Sequence, residues 1–186
     1  MPELNLNFNP FPELTTERLL LRKMKESDAE EIFLLRSNEE AMKYIDRPRA
    51  TSLQDGLDLI RRDIDSITAS NGISWAITRT NEAKLIGTLG FWRMTKEHFR
   101  AEIGYMLHPL YHGKGIMHEA IGAAIHFGFH VMNLHSIEAD VNPDNIASIK
   151  LLEKNNFIRE ALYRENYFYD GKFLDSAIYS LLTPLR

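Results

Sequence analysis

The sequence predicts one α/β domain, built on a mixed, mostly antiparallel sheet in which a single central pair of strands runs parallel. Three observations carry this expectation. The β-rich runs "ISWAITRT", "KLIGTLGFWRM" and "RAEIGYML" follow one another through short polar breaks, as antiparallel neighbours do. The third run leads through two glycines into a long amphipathic stretch, about Ile116 to Met132, and then a fresh strand "SIEADV" at 136–141. A strand, a crossover helix and another strand form a βαβ unit, whose two strands lie parallel. Near the end, Asp170 and Gly171 stand between two β-rich runs, the strongest short hairpin signal, so the sheet closes antiparallel.

In chain order, residues 1–13 are rich in Pro and Asn and read as an extended N-terminal arm, with 14–186 as the single folded domain. "ERLLLRKM" at 17–24 is a short strand, and Ser27 to Glu30 has the capping-box form that opens a helix. Thr51 or Ser52 caps a second helix, in which Leu53, Leu57, Ile60, Ile64 and Ile67 share one face. That face either packs on the core or lines a cleft. After the three strands, the crossover helix and the strand at 136–141, a shorter helix spans about Asn145 to Asn155. Asn156 then suits a left-handed cap, because Asn tolerates positive φ. About four helices result, with no internal repeat, low-complexity tract or linker.

Composition excludes several function classes. At 186 residues and 44% hydrophobic content, the chain builds one core without staples. A net charge of −4 argues against nucleic acid as the main partner. The absence of cysteine removes disulfides, thiolate metal sites and acyl-cysteine intermediates. The N-terminal stretch lacks the form of a secretion signal, and no run approaches the roughly 20 apolar residues that span a bilayer; the expectation is a cytoplasmic protein without a membrane partner. No metal is expected either. "HEAIG" at His118 lacks a second histidine, and His126 and His130 lie one turn apart without a third ligand nearby in sequence.

The segment "PLYHGKGIMHEA" presents Gly113 and Gly115 around Lys114 at the start of a helix. Such a loop offers unpaired N–H groups and the positive end of the helix dipole, which favour a phosphate; a plain tight turn would use the same glycines. A Walker A loop is excluded, because no glycine precedes Gly113 at the required distance and Gly115 stands where Ser or Thr is needed. A dinucleotide fingerprint would want glycine where His118 stands, although Asp140 occupies the position of a ribose-binding acid. The antiparallel runs around it also speak against a doubly wound sheet.

The segments "AEIGYMLHPLYHGKGIMHEA", "VNPDNIASIKLLEKNNF" and "DGKFLDSAIYSLL", with the opening "LTTERLLLRKMKESDAEEIF", together resemble the GNAT superfamily of acetyltransferases. Within it they are most similar to the ribosomal-protein N-terminal acetyltransferases of the RimJ/RimL type. The resemblance covers nearly the whole chain from about residue 14. It implies that the fourth and fifth strands, here 101–108 and 136–141, splay to admit the pantetheine arm of acetyl-CoA. The family's Q/R-x-x-G-x-G/A pattern falls on Leu110 to Gly115, with Leu110 departing from Gln or Arg. The implied pyrophosphate donors are the amides of His112, Gly113, Lys114, Gly115, Ile116 and Met117. His112 and His118 flank this loop and add positive charge when protonated.

The resemblance also implies site residues. Glu102, on the strand beside the thioester, is the candidate general base; its alternative is a solvated edge charge. The backbone amide of Leu107 is placed to donate to the thioester carbonyl. Asn145 and Ser148 lie three residues apart on one helix face and match the family's N-x-x-S pattern, which directs them at the pantetheine and the sulfur. Ser148 would then stabilise the leaving thiolate, or otherwise serve as a capping serine. The tyrosine that many relatives use as general acid falls at Leu152. Tyr167, in the closing hairpin, is a candidate substrate contact.

These expectations add up to an N-acetyltransferase that moves acetyl from acetyl-CoA directly to a primary amine, in a ternary complex and without a covalent enzyme intermediate. The acceptor is a protein N-terminus or a small amine, and the enzyme a monomer or homodimer. A non-catalytic CoA-sensing domain is the alternative that keeps the loop but not Glu102 and Ser148. A nucleotide-binding oxidoreductase is the more distant one.

Overall fold

The computed structural model describes residues 3–184. Its eight strands form one sheet, and their spatial order differs from chain order only in a final exchange. They are β1 (Leu14–Thr15), β2 (Leu19–Arg22), β3 (Ile73–Arg79), β4 (Gly87–Thr95), β5 (Arg100–Leu107), β6 (Ser136–Val141), β7 (Ile158–Tyr169) and β8 (Lys172–Leu182). β8 lies between β6 and β7, because the tight turn at Asp170 and Gly171, both at positive φ, folds the hairpin back onto β6. All neighbours pair antiparallel except β5 and β6. The parallel central pair is therefore as expected, one place later in the count because the two-residue β1 precedes it.

Five helices accompany the sheet: α1 (Ala29–Ser37), α2 (Glu39–Met42), α3 (Leu53–Thr68), α4 (Ile116–His130) and α5 (Ile146–Lys154). α2 is the addition to the expected four, a single turn that Asn38 caps by accepting from the Ala41 amide. Ser52, one of the two expected caps, opens α3 and forms a capping box with Asp55. At α1 the box closes elsewhere than expected. Asp28 reaches back to the Lys25 amide at 2.9 Å, and a tight turn at Glu26–Asp28 precedes the helix. The reason lies on β2: the Arg22 guanidinium grips both oxygens of Asp28 at 2.8 Å, fixing the carboxylate over Lys25 and not over the turn that Ser27 would cap.

The helices cover the two faces of the sheet. α4 packs with Trp75, Phe91 and Ile103, and the Trp75 and Phe127 rings meet edge to face at 5.4 Å. α1 and α3 cover the other face, through Ile32 and Ile60 against Ala76. The N-terminal arm is docked as well. Phe8 is buried, the Asn5 amide donates to the Met132 carbonyl, and the Trp75 indole donates to the Pro12 carbonyl at 2.7 Å. Asn156 takes positive φ after α5, as expected.

Candidate active site

β5 and β6 form the site by parting. They pair only at Arg100–Ser136, Ala101–Ile137 and Glu102–Glu138. Beyond these positions β6 stays with β8, while β5 stays with β4. The His108 amide donates to the Ile86 carbonyl on the β4 side, so by the alternation of an antiparallel ladder the amides of Leu107, Tyr105 and Ile103 face the opened side. The Ile103 amide closes the last pair, Glu102–Glu138, and β6 offers no ladder partner to those of Tyr105 and Leu107. The Leu107 amide thus faces the opening between β5 and β6.

At the end of β5, a tight turn over Pro109–Tyr111 leads into the glycine loop. Gly113 and Gly115 have φ of 71° and 74°, and both are needed there because a Cβ is strained in that region. The His112 amide closes the preceding turn onto the Pro109 carbonyl, and its ring bonds the Leu107 carbonyl at 2.8 Å through Nε2. Its amide is therefore already engaged. The first helical bond of α4 runs from Glu119 to the Gly115 carbonyl, which leaves the amides of Gly113 to His118 without a backbone acceptor among the described residues. Gly113, Lys114, Gly115, Ile116 and Met117 lie in this set. The Lys114 side chain folds back to the Leu110 carbonyl at 2.7 Å. Glu119 would repel an anion here, but Thr16 and Arg18 hold it, with Arg18 to Glu119 at 2.7 Å. Burial opposes its ionisation, yet these hydrogen bonds outweigh burial and keep its carboxyl below the usual range.

On the α4 face, a pair of hydroxyls bridges the opening. Ser148, in the first turn of α5, meets the Tyr105 hydroxyl at 2.7 Å. Asn145 caps that helix by accepting from the Ser148 amide at 3.1 Å. Burial pushes the Tyr105 phenol up to about 12, against the hydrogen bond to Ser148, so it stays protonated at neutral pH. Leu152 lies fully in the core, well suited to its apolar character. Nothing local in "EIGYML" marks Tyr105. The signal was its period-2 position on the strand, which points it to the α4 face with Ala101 and Ile103.

The opposite face carries acids. Glu102 accepts from the Trp92 indole at 3.0 Å and from Arg93 at 2.9 Å. Adjacent residues reach it together because β4 bulges there, with Arg93 at positive φ. Its carboxylate is thus partnered and lies beside the central opening, not at a sheet edge. The Trp92 ring lies across Gly104, whose missing side chain makes room for it. Asp140 stands on the same face of β6, by its alternation with the buried Ala139 and Val141. Burial, and then the charge of Glu102, raise its carboxyl above the usual range. Tyr167 donates to Asp46 in the loop after α2 and closes this face from the hairpin side. Burial, then the Asp46 bond and charge, raise its phenol further still. His126 and His130 stack at 4.2 Å, and no group of acids and histidines arranged to hold a metal occurs among the described residues. Among the described residues no helix is long and apolar enough to cross a membrane.

The comparisons with known proteins agree with this geometry. Residues 18–158 match the family described as acetyltransferase (GNAT) domain. The uncharacterized N-acetyltransferase YoaA of Bacillus subtilis is 36% identical over 94% of this chain and 98% of its own. The [ribosomal protein uS5]-alanine N-acetyltransferase of Escherichia coli is 31% identical over 56% of this chain and 54% of its own. A crystal structure of a GNAT-family acetyltransferase from Bacillus anthracis superposes with a TM-score of 0.82 at 27% identity, covering 92% of this chain and 98% of that one. A sheet parted at its parallel pair, a free-amide loop at its mouth and these matches lead to one conclusion: the chain belongs to the GNAT family and is an acetyl-CoA-dependent N-acetyltransferase.

Proposed function

We propose that the enzyme acetylates a primary amine directly, with the amine entering from the face of Glu102 and Asp140 and the thioester lying between β5 and β6. The observation that carries this reading is the early end of β5–β6 pairing, with the Tyr105–Ser148 pair on one side and the acids on the other. The amides of Gly113 to Met117 hold the pyrophosphate, and those of β5 hold the pantetheine and the thioester carbonyl.

The amine nitrogen bonds to the acetyl carbon as the carbon–sulfur bond breaks and its electron pair passes to sulfur. A thiol has a pKa of about 8.5, so sulfur leaves as a thiolate that needs a donor more than a full proton. Tyr105, protonated and steadied by Ser148, supplies that hydrogen bond. The amine proton goes to Asp140, whose raised carboxyl suits it to accept one, while Glu102 is tied to Arg93 and Trp92. Glu102 sets the charge around Asp140. A protein N-terminal amine, with a pKa of about 8, asks less of such a base than a lysine at about 10.4.

The test is CoA release with an amine panel, for the wild type and the Y105F and S148A variants. Y105F is expected to lower kcat by about 10 to 100-fold with little change in KM for acetyl-CoA, and S148A to lower it less. Unchanged kcat in Y105F would remove the tyrosine from the reaction.

A further inference from the structure

Arg36 is charged, half-buried and short of acceptors. It projects from α1, on the acceptor face of the sheet, and its guanidinium donates to the Met106 sulfur at 3.2 Å. A thioether is a weak acceptor, and a guanidinium has five donors and cannot shed its charge. The other arginines near the site have carboxylates: Arg18 has Glu119, Arg93 has Glu102, and Arg100 has Glu138. Among the described residues, Arg36 has no carboxylate within ion-pair distance, and neither do Arg47 and Arg62. The Ala50 amide donates to the Arg36 carbonyl at 3.1 Å, which seats the loop carrying Arg47 on the end of α1, and α3 with Arg62 packs on α1 through Ile60. Burial, then the charges of Arg47 and Arg62, weigh against the protonated form of Arg36.

Met106 lies two residues beyond Gly104 and four beyond Glu102 on one face of β5. Met106 also stands between Tyr105 and Leu107, so Arg36 meets β5 at the level of the thioester, on the face from which the amine enters. We propose that Arg36, with Arg47 and Arg62, binds an oxyanion carried by the acceptor, so that preferred substrates are amines with a carboxylate or phosphate within a few residues' reach of the reacting nitrogen. A peptide N-terminus with an acidic residue in its first few positions meets this requirement. The proposal rests on the acyl-transfer reading for its location, but the anion site exists independently of turnover.

Two measurements test it. The first compares kcat/KM for three short peptides identical except for Asp, phosphoserine or Asn at the third position. The wild type should favour the Asp peptide, the phosphoserine peptide or both over the Asn peptide by about tenfold, and R36Q and R47Q should each erase most of that preference. Which acid-bearing arm gains most identifies the carboxylate or the phosphate as the native group. Equal kcat/KM for all three, or a preference that both variants retain, overturns the proposal. The second titrates inorganic phosphate and glutarate calorimetrically into CoA-saturated protein, where R36Q and R47Q should each weaken binding of at least one anion by about fivefold or more. R47Q changes an exposed loop residue and so guards against misfolding of R36Q. Anion binding that both variants leave intact overturns the proposal, whereas anion binding lost in the variants with no peptide acetylated retains the site and removes peptides as acceptors.

Discussion

Replacing Gly104 by Ala tests how the acceptor face is built. The added methyl would fall inside the six-membered ring of Trp92, so the indole must leave its seat over β5. Overpacking of this kind costs about 1–3 kcal/mol. The displaced ring also surrenders its 3.0 Å bond to Glu102, a further loss of about 1 kcal/mol because the indole is 38% exposed and regains water. Gly104 is not at positive φ, so Ala returns about 0.5–1 kcal/mol by restricting the unfolded chain. The net is about 2 kcal/mol, which for a chain of this size lowers Tm by about 4–8 °C. Calorimetry and tryptophan emission read it together, since the only other tryptophan, Trp75, is fully buried and stays fixed. In a W92A background the same substitution should cost almost nothing. An unchanged Tm and emission maximum in G104A, or an equal penalty with and without Trp92, would refute the argument.

Two further predictions concern pH. Burial, against the hydrogen bond from Ser74, lifts the carboxyl of Asp63 from 3.8 to about 6, and its Oδ2 is buried without a partner. The folded state therefore binds this proton more tightly than the unfolded state, and stability should fall as pH rises from about 4 to about 6. D63N should remove that decline and gain on the order of 2 kcal/mol at pH 7, read as urea midpoints; parallel pH profiles for variant and wild type would contradict it. Asp140 must be ionised to accept a proton, so kcat/KM should fall as pH drops through its raised pKa. D140N should abolish this acid limb and lower the plateau by about 100-fold. E102Q should move the limb to lower pH, because the charge of Glu102 is one of the causes of the shift; identical limbs in all three proteins would exclude Asp140.

What the sequence reveals is divided by range. The α3 stripe with its Ser52 cap, the Asp170–Gly171 turn and Asn156 are decided within a few residues of one another and appear where expected, as does the crossover through α4. What escapes is decided by contacts between elements. Ser27 loses its capping role to Asp28 because Arg22 on β2 grips that carboxylate, and the arm is held by Met132 and Trp75, more than 60 residues on. The glycine loop is legible because its positive φ needs particular residues, yet the engagement of the His112 amide follows from a turn begun at Pro109. Tyr105 and Arg36 carry no local mark. One is paired by a helix 43 residues on, and the other is distinguished by the carboxylate it lacks. Asp140 attracts notice in the sequence as a nucleotide-binding acid, and only the parting of the strands gives it a different neighbourhood.

Three residue pairs between β5 and β6 are all the direct ladder that joins a five-strand plate, β1 to β5, to a three-strand plate, β6 to β8. Such a seam is a compliant joint between two stiffer bodies, with α4 as its strap. The amides of Tyr105 and Leu107 then lie in a central strand yet should exchange with solvent deuterium at rates typical of a sheet edge, while that of Ile103, which closes the last pair, should stay protected. A bound pantetheine, lying along β5 as an additional strand would, slows that exchange and stiffens the joint, so the resting enzyme is mechanically the softer of its two forms.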